Sequence, residues 1–366
     1  MSESKNEMTS AEETTIRLQN ISKKFGDFTA IKNLDLKIKE SELLVLLGPS
    51  GCGKTTILRI ISGLEIPTTG SVSIGSNDIT STLPQERDIA VVFQNYALYP
   101  HKTVRENLLF PLNKTDIKEK DKKVAETAGK LEITDLLDKY PSQLSGGQSQ
   151  RVAVGRAIVR NPQVFLMDEP LSNLDPQLRV SARAQIQSLQ QSLETTTIYV
   201  THNQQEAMSI ADRIAIMNQG KIEQIDTPKI AYTNPANKFV AEFLGEPEMN
   251  FLHVDGEASK SLLSSAVFRS RVPNDTELIG IRPENMYLEQ SLDRAIEPGE
   301  LLTATTQLVE PLGGSYELTL FSGDNKIKLI TSEIPGTAEG EDVNLSLDKN
   351  NLHYFDYNGR RIDTTS

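Results

Sequence analysis

One segment constrains the chain more than any other. It reads Gly48-Pro-Ser-Gly-Cys-Gly-Lys-Thr-Thr56 and directly follows the apolar run Leu43–Leu47. It fits the pattern G-x-x-x-x-G-K-[ST], in which glycines let the backbone turn tightly enough to aim N–H groups at phosphate oxygens. The apolar spacing from Ile57 to Ile61 predicts a helix whose positive N-terminus faces the same phosphates. We therefore predict a nucleoside triphosphate site at this turn.

Each position of this turn is assigned to the nucleotide. Lys54 adds a mobile positive charge to the backbone amides, and Thr55 offers a hydroxyl to Mg²⁺. Cys52 is the single cysteine, which excludes an intramolecular disulfide framework. We interpret it as a small space-filling residue in preference to a reactive thiol. The predicted nucleotide-binding residues of the turn are Gly48, Pro49, Ser50, Gly51, Cys52, Gly53, Lys54, Thr55 and Thr56.

Length, charge and apolar runs limit the possible classes. With 366 residues, the chain is long enough for two domains. A formal net charge of −12 argues against nucleic acid as a partner. Apolar runs stay far below the roughly 18 residues that a membrane span needs. We expect the polar residues 1–13 to form a disordered tail that is not a signal peptide.

Two regions with different patterning follow the tail. Residues 14–243 alternate strand-like and helix-like segments, with long helices predicted around 117–139 and 176–193. This alternation predicts an α/β ATPase domain with a largely parallel sheet and a helical subdomain at about 95–160. Residues 244–366 carry short β-type runs between turn residues, which predicts a small all-β barrel.

An acidic pair ends a second apolar strand. Asp168 and Glu169 directly follow Val164–Met167. In a phosphate-loop ATPase, the first acid holds Mg²⁺ and the second can act as general base on the attacking water. Taken alone, such a pair is commonly a solvated turn, but a phosphate loop upstream favours the catalytic interpretation.

A glycine-containing segment lies between the two strands. It reads Leu144-Ser-Gly-Gly-Gln148. Ser145 can cap the following helix, and Gly146 and Gly147 keep side chains away from its N-terminus, which predicts a second anion site. An ordinary capped loop is the alternative that these residues alone leave open. The segment resembles the signature motif of ABC-transporter ATPases, whose order relative to the phosphate loop is the same.

Four further residues resemble motifs of that family. Phe25 resembles the aromatic residue that stacks on adenine, and Gln94 resembles the Q-loop glutamine that reports on the Mg²⁺ site to membrane subunits. Asp175 resembles the D-loop aspartate at the dimer interface. His202 resembles the switch histidine that contacts the γ-phosphate.

The resemblance implies a mechanism in which two subunits act together. Glu169 and His202 are then catalytic, and Mg²⁺ that accompanies ATP is held by Thr55, Gln94 and Asp168. Each ATP is sandwiched between the phosphate loop of one subunit and the signature of the other. The signature residues that act in trans are Ser145, Gly146, Gly147 and Gln148.

Other segments resemble the sugar-importer branch of the family, in which a TOBE-type β-barrel with a regulatory role follows the ATPase. They are residues 94–101, 204–208, 235–245, 248–250 and 280–284, and the resemblance covers roughly 15–290. It implies a peripheral subunit at the cytoplasmic face of the cell membrane that couples ATP hydrolysis to uptake of a carbohydrate or related solute. The implied partners are two transmembrane permease subunits, an extracytoplasmic solute-binding protein, and a second ATPase, identical or paralogous.

Several alternatives stay open from the sequence. The same architecture could import a polyamine, iron or another anion, and a soluble non-transport ABC ATPase is a remote alternative. At position 149 the branch usually has a basic residue, and this chain has Ser149. We expect hydrolysis to survive this change, with a weaker phosphate contact or an altered dimer contact as the alternative. The aromatic segment 95–104 either receives a permease helix or packs within the helical subdomain.

Overall fold

The computed structural model describes residues 14–114, 118–263, 266–289 and 300–363. The predicted tail, residues 1–13, lies outside the described residues. Residues up to Lys229 form one compact unit, and those from Ile230 onward form a second. The predicted domain boundary at residues 243 and 244 stays a prediction.

The first unit contains the strands of two sheets. Their bounds are β1 Thr14–Phe25, β2 Phe28–Lys39, β3 Leu43–Leu47, β4 Thr69–Ile74, β5 Asn77–Asp78, β6 Ile89–Val92, β7 Val164–Asp168, β8 Thr196–Thr201, β9 Arg213–Asn218 and β10 Lys221–Asp226. One sheet has the order β10-β9-β3-β8-β7-β6 and is parallel except for β10. The other is antiparallel with the order β2-β1-β4-β5. The predicted α/β class with a largely parallel sheet is confirmed.

The helices of the first unit connect these strands. Their bounds are α1 Lys54–Ile61, α2 Val104–Leu109, α3 Lys120–Lys130, α4 Gly146–Ile158, α5 Pro176–Leu193 and α6 Gln204–Ile210. Helix α5 has the predicted bounds. The long helix predicted around 117–139 is wrong, because α3 ends at Lys130 and Glu132 takes a left-handed φ of 57°. A separate 3-10 turn follows at Thr134–Leu136.

Two apolar cores support the first unit. All five residues of β3 are buried, as expected for a central parallel strand that is covered on both faces. A second cluster joins α2, α3 and α4 and includes Val104, Leu108, Val124 and Val152, so the predicted helical subdomain is confirmed. Carboxyl ends of neighbouring parallel strands meet at one edge of a sheet, where α/β proteins bind their ligands. Here that edge collects the loops after β3, β6, β7 and β8.

The second unit is built mainly from antiparallel strands. Helix α7 spans Pro228–Thr233 and begins just before this unit; the remaining bounds are α8 Lys238–Phe243, β11 Asn250–His253, α9 Glu257–Leu263, α10 Ala266–Arg269, β12 Leu278–Ile281, β13 Met286–Leu288, β14 Glu300–Pro311, β15 Tyr316–Ser322, β16 Asn325–Thr331, β17 Asp342–Leu347, β18 Leu352–Phe355 and β19 Arg361–Ile362. The sheets have the orders β11-β12-β18-β19 and β13-β17-β14-β15-β16. They form a curled half-barrel with short helices, which confirms the predicted all-β class.

Candidate functional site

The turn between β3 and α1 depends on glycine at two positions. A Cβ on Gly48 would lie 2.4 Å from the backbone oxygen of Met217 and 2.8 Å from Cys52 Sγ. Gly53 has a φ of 112°, and a Cβ there would lie 2.6 Å from Ile31 Cδ1. Side chains at either position would therefore push this loop away from its support. The turn thus keeps its backbone close to the sheet and its amides at the start of α1.

Lys54 is the first residue of α1, and its side chain folds back over the preceding turn. Its side chain is 6 % exposed, and Nζ donates to the backbone oxygens of Gly48 and Pro49 at 2.7 and 3.0 Å. Cys52 is buried beside it, and burial raises the pKa of the Cys52 thiol. A raised pKa lowers the thiolate fraction and with it the reactivity of a cysteine. The ammonium group is accordingly the charged group that this loop can offer to an anion.

Asp168 lies opposite the first turn of α1. Its Oδ1 accepts a hydrogen bond from Thr55 Oγ1 at 3.4 Å. Burial, and next the charge of Glu169, raise the pKa of the Asp168 carboxyl, while the Thr55 hydrogen bond and Lys54 oppose the rise. Burial and a neighbouring negative charge both disfavour the ionised form of a carboxyl group, so a cation bound here would stabilise it.

Glu169 is the centre of a second group of side chains at the same edge. Its Oε1 lies 3.0 Å from His202 Nδ1, and its Oε2 accepts a hydrogen bond from Gln94 Nε2 at 3.4 Å. The backbone of Glu169 is left-handed, with a φ of 44°, and its N–H donates to Val200 O in β8. Strained φ values of this kind persist where surrounding contacts fix them, and they are frequent at functional sites.

The segment around Ser145 forms a helix start. Ser145 Oγ accepts from the backbone N–H of Gln148 at 3.3 Å, and Gln148 Oε1 accepts from the N–H of Ser145 at 3.0 Å. This reciprocal capping box is the arrangement that the sequence predicts for a helix N-terminus. A Cβ on Gly147 would meet nothing within 4 Å, so the start of α4 is open to its surroundings.

Two predicted residues lie at the margins of this arrangement. Phe25 ends β1 with 47 % of its surface exposed, and Lys23 Nζ lies 4.9 Å from its ring centre. Asp175 is exposed at the N-cap of α5. Nearby, Asn173 Nδ2 donates to the backbone oxygen of Gln94 at 2.7 Å. This bond links the segment before Asp175 to the residue that contacts Glu169.

The structure therefore brings together some predicted residues and leaves others apart. Hydrogen bonds connect Thr55 with Asp168, and Glu169 with Gln94 and His202. The side-chain bonds of the signature residues, in contrast, stay within their own capping box. Pro49 to Gly53 lie between β3 and α1, and Lys54, Thr55 and Thr56 form the first residues of α1.

The donor set suits one kind of metal ion. Thr55 and Asp168 supply a hydroxyl and a carboxylate, which are the hard oxygen donors that Mg²⁺ prefers in proteins, together with phosphate oxygens. Within the described residues, no group of three His, Cys, Asp or Glu side chains could hold a metal by itself. A metal at this edge would accordingly share its coordination with a bound nucleotide.

Sequence reasoning missed the residues that support this site from behind. Glu206 accepts hydrogen bonds from Tyr199 and Thr201 in β8, and Arg156 donates to the backbone oxygens of Tyr96 and Ala97. The family resemblance of the segment 204–208 includes Glu206 but gives it no role. Glu206 is buried on the same helix as Ala207 and Ile210, and the sequence alone does not distinguish it from an exposed glutamate.

Two family profiles match this chain. The ABC transporter family matches residues 31–172, and the TOBE domain matches residues 279–355. In the ranges that the structure describes, no helix combines the length and apolarity that crossing a bilayer requires.

Curated relatives match the chain over almost its full length. A xylose/arabinose import ATP-binding protein of Haloferax volcanii is 45 % identical over 360 residues, covering 93 % of each chain. An sn-glycerol-3-phosphate import ATP-binding protein of Rhizobium johnstonii is 44 % identical, covering 95 % of this chain and 99 % of the relative. A trehalose/maltose import ATP-binding protein of Thermococcus litoralis is 45 % identical, covering 93 % and 97 %.

A solved structure resembles part of the chain. It is a dimeric ATP-binding cassette in a post-hydrolysis state, bound to ADP and Pi, with a TM-score of 0.52 and 33 % identity. The match covers 58 % of this chain and 98 % of that one.

Proposed function

We propose that this chain, which belongs to the ABC transporter family of import ATP-binding subunits, drives uptake of a carbohydrate or a related solute. It hydrolyses ATP and works with membrane permease partners. The names of three relatives at 44–45 % identity, for pentoses, glycerol phosphate and disaccharides, support this solute class. The observation that carries the catalytic part is the contact of His202 with Glu169 beside the phosphate loop.

The residues at this edge divide the work of phosphate binding. Lys54 and the loop amides neutralise the β- and γ-phosphates, and Phe25 stacks on the adenine. Thr55 and Asp168, with Gln94, would hold Mg²⁺, which supplies positive charge to the phosphoryl group when bound. Since Lys54 already lies on two loop carbonyls, it needs only to rotate toward a phosphate oxygen to act.

Glu169 and His202 act on the water and on the departing phosphoryl group. Glu169 accepts a proton from the attacking water as general base. His202 fixes the Glu169 carboxylate through Nδ1 and directs its other ring nitrogen toward the γ-phosphate. Gln94 contacts the second Glu169 oxygen, so a movement of the segment after Gln94 changes the position of the base.

The signature residues complete the site from a second subunit. Ser145, Gly146, Gly147 and Gln148 present the start of α4 to the γ-phosphate of the partner, and Asp175 contacts the partner at the interface. The capping box and the open surface at Gly147 support this role. The second subunit is an identical chain or a paralogous ATPase.

The remaining assignments concern location and partners. We place the protein at the cytoplasmic face of the membrane, bound peripherally to two permease subunits that receive solute from an extracytoplasmic binding protein. The domains that we propose are an ATPase domain at 14–243 and a TOBE-like regulatory domain at 244–366, preceded by the tail at 1–13. Nucleic acid is not a proposed partner.

The role of Glu169 is tested by Glu169→Gln. This variant should bind ATP as the wild type does, while turnover falls by about 10²-fold or more, because general-base catalysis is typically worth 10²–10⁴-fold. Phosphate release and equilibrium binding of a fluorescent ATP analogue measure the two quantities. Hydrolysis at near wild-type rate would assign the base to another residue.

Solute class is tested by uptake in cells. Deletion of the gene should abolish uptake of one labelled solute from a set containing xylose, trehalose, glycerol 3-phosphate, putrescine and ferric iron. The wild-type gene should restore that uptake, and the Glu169→Gln gene should not. Loss of putrescine or iron uptake would replace the carbohydrate assignment, and unchanged uptake of every solute would favour a non-transport ATPase.

A further inference from the structure

Glu206 is a buried carboxylate directly behind the proposed catalytic histidine. It lies in the first turn of α6 with 4 % of its surface exposed. One of its oxygens, Oε2, accepts hydrogen bonds from Tyr199 Oη at 3.0 Å and from Thr201 Oγ1 at 2.9 Å. A buried carboxylate is costly unless hydrogen bonds compensate for lost hydration. Both donors here come from the last residues of β8, which leads into His202.

Two further hydrogen bonds extend this network to Asn203, the residue after His202. Thr201 Oγ1 accepts a hydrogen bond from the backbone N–H of Asn203 at 3.0 Å. Asn203 Oδ1 in turn accepts from the backbone N–H of Glu206 at 2.8 Å. The residues before and after His202 are thereby tied to each other and to Glu206.

His202 itself contributes little to fixing its own position. Its side chain is 61 % exposed, and it is held by the 3.0 Å contact with Glu169. Along an extended segment, side chains alternate between faces. Tyr199 and Thr201, two residues apart in β8, accordingly both face Glu206. His202 follows the end of β8, and its side chain contacts Glu169 instead.

We propose that Glu206 is a positioning residue that holds His202 at the γ-phosphate through Thr201 and Asn203. This proposal rests on the catalytic role of His202 proposed above. In this role Glu206 acts only through the backbone around His202. It fixes the backbone on both sides of His202, so that the imidazole is preorganised to contact Glu169 and the phosphate.

The first test separates turnover from nucleotide binding in the full chain. Glu206→Gln keeps the shape of the side chain and removes its charge. We expect kcat for ATP to fall about tenfold, with KM within about twofold, because a displacement of about 1 Å at a reacting group can cost as much as 10²-fold. A matched control is Glu42→Gln, which alters another buried carboxylate. Glu42 directly precedes β3, at the end away from the phosphate loop, and pairs with Arg213 at 3.0 Å. The control should lose stability and keep kcat.

A pair of variants at Thr201 tests the same link if Glu206→Gln fails to fold. Thr201→Val preserves shape but removes the hydroxyl that joins Glu206 to Asn203, and it should lower kcat as Glu206→Gln does. Thr201→Ser preserves the hydroxyl and should stay within about twofold of the wild type.

A double-mutant cycle decides between positioning and general destabilisation. In a His202→Ala background, Glu206→Gln should change kcat by less than about twofold, because residues that act as one unit are not additive. A full further loss in that background would overturn the proposal, as would wild-type kcat in both Glu206→Gln and Thr201→Val. If His202→Ala alone keeps wild-type turnover, the catalytic role of His202 fails, and the proposal fails with it. A slow His202→Ala beside normal kcat in both Glu206→Gln and Thr201→Val defeats the positioning proposal alone.

Discussion

At the scale of single residues, Asp168 and Glu169 have different surroundings although they are adjacent in the chain. Asp168 lies against α1 with a raised carboxyl pKa, caused first by burial and then by Glu169. Glu169 is turned by its left-handed φ of 44° toward His202 and Gln94. The left-handed backbone of Glu169 thus directs the carboxylate proposed for water away from the neighbouring one proposed for the metal.

The raised pKa of Asp168 predicts a conflict between stability and activity. The folded chain binds this proton more tightly than the unfolded chain, so the stabilising contribution is fully present below the usual aspartate pKa of 3.8 and is lost as pH rises through the folded-state pKa. At pH 7 the ionised carboxylate therefore lowers the free energy of unfolding. Asp168→Asn should raise Tm at pH 7, and this gain should vanish toward pH 3.

The same variant should lose activity. Asp168→Asn removes the proposed Mg²⁺ carboxylate, so turnover should fall about 10²-fold or more. Calorimetry from pH 3 to pH 8 measures the stability difference, and Asp138→Asn, at an exposed carboxylate, is the control that should change neither quantity. A lower Tm for Asp168→Asn at pH 7 would contradict the prediction.

Ser149 gives a second prediction at this scale. It is half-buried in the first turn of α4, and its N–H donates to Ser145 O at 2.9 Å. It follows Gly146 and Gly147, the glycines that are proposed to present N–H groups to the partner. Ser149→Arg should accordingly change steady-state ATPase activity by less than about threefold, which is under ~1 kcal/mol in the barrier. A tenfold gain would show that serine weakens the signature.

At the scale of elements, the segment after Gln94 is held by two helices. Tyr96 and Ala97 both have left-handed φ values, of 59° and 47°, and Arg156 at the end of α4 donates to both of their backbone oxygens. Asn107 in α2 is fully buried and bonds to the backbone of Tyr99 in both directions. Contacts from α2 and α4 therefore fix a segment whose backbone is strained.

Residues of the aromatic segment 95–104 differ in whether they pack within the helical subdomain or are exposed. Tyr99 packs on Phe110 with ring centres 4.5 Å apart and lies beneath Arg156, so it belongs partly to the helical subdomain. His101 is exposed. The docking hypothesis for residues 95–104 therefore applies to His101 more than to Tyr99.

His101→Ala tests that distinction in the assembled transporter. We expect Tm and basal ATPase of the isolated subunit to stay close to the wild-type values, while solute-stimulated ATPase falls about fivefold or more, since few interface residues carry most binding energy. His253→Ala alters another exposed histidine, in the second unit, and serves as control. Normal stimulation in His101→Ala would place the docking surface elsewhere.

The sequence predicts which loops meet at the edge of the sheet, but it does not predict the buried hydrogen bonds that support those loops. Strand ends at Leu47, Asp168 and Thr201 follow from apolar runs, and parallel order brings their loops together. The bond between Glu206 and Thr201 depends on which face of α6 meets β8, which no local pattern encodes. The end of α3 at Lys130 also escapes prediction, because a left-handed Glu132 is a tertiary outcome and not a propensity.

At the scale of the whole molecule, the proposed function assigns one chain the parts of two different half-sites. The phosphate loop, Glu169 and His202 lie at one edge of the sheet, whereas the Ser145 capping box bonds only within its own helix start in the described structure. In the proposed assembly, a symmetric pair of chains would supply each nucleotide with both parts, since a two-fold interface uses the same surface twice. The solved cassette that resembles part of this chain is itself dimeric and bound to ADP and Pi.

ATP-dependent dimerisation tests this sharing. Glu169→Gln, which should bind ATP without turnover, is expected to form a dimer with ATP and Mg²⁺ in light scattering, and to stay monomeric when EDTA removes the metal. Adding Gly147→Asp should abolish the dimer, because an aspartate at the open start of α4 brings negative charge to the partner's γ-phosphate. A Cβ on Gly147 meets nothing within 4 Å, so the chain that carries it should keep its fold and its own ATP affinity.

Gly129→Asp is the matched control for that experiment. Gly129 lies exposed on α3, and a Cβ there likewise meets nothing within 4 Å, so this substitution adds the same charge at the same steric cost. The dimer should persist in Glu169→Gln combined with Gly129→Asp, because α3 contributes nothing to the proposed nucleotide sandwich. A dimer that survives Gly147→Asp, or one lost equally in both combinations, would mean that the signature does not meet nucleotide across the interface.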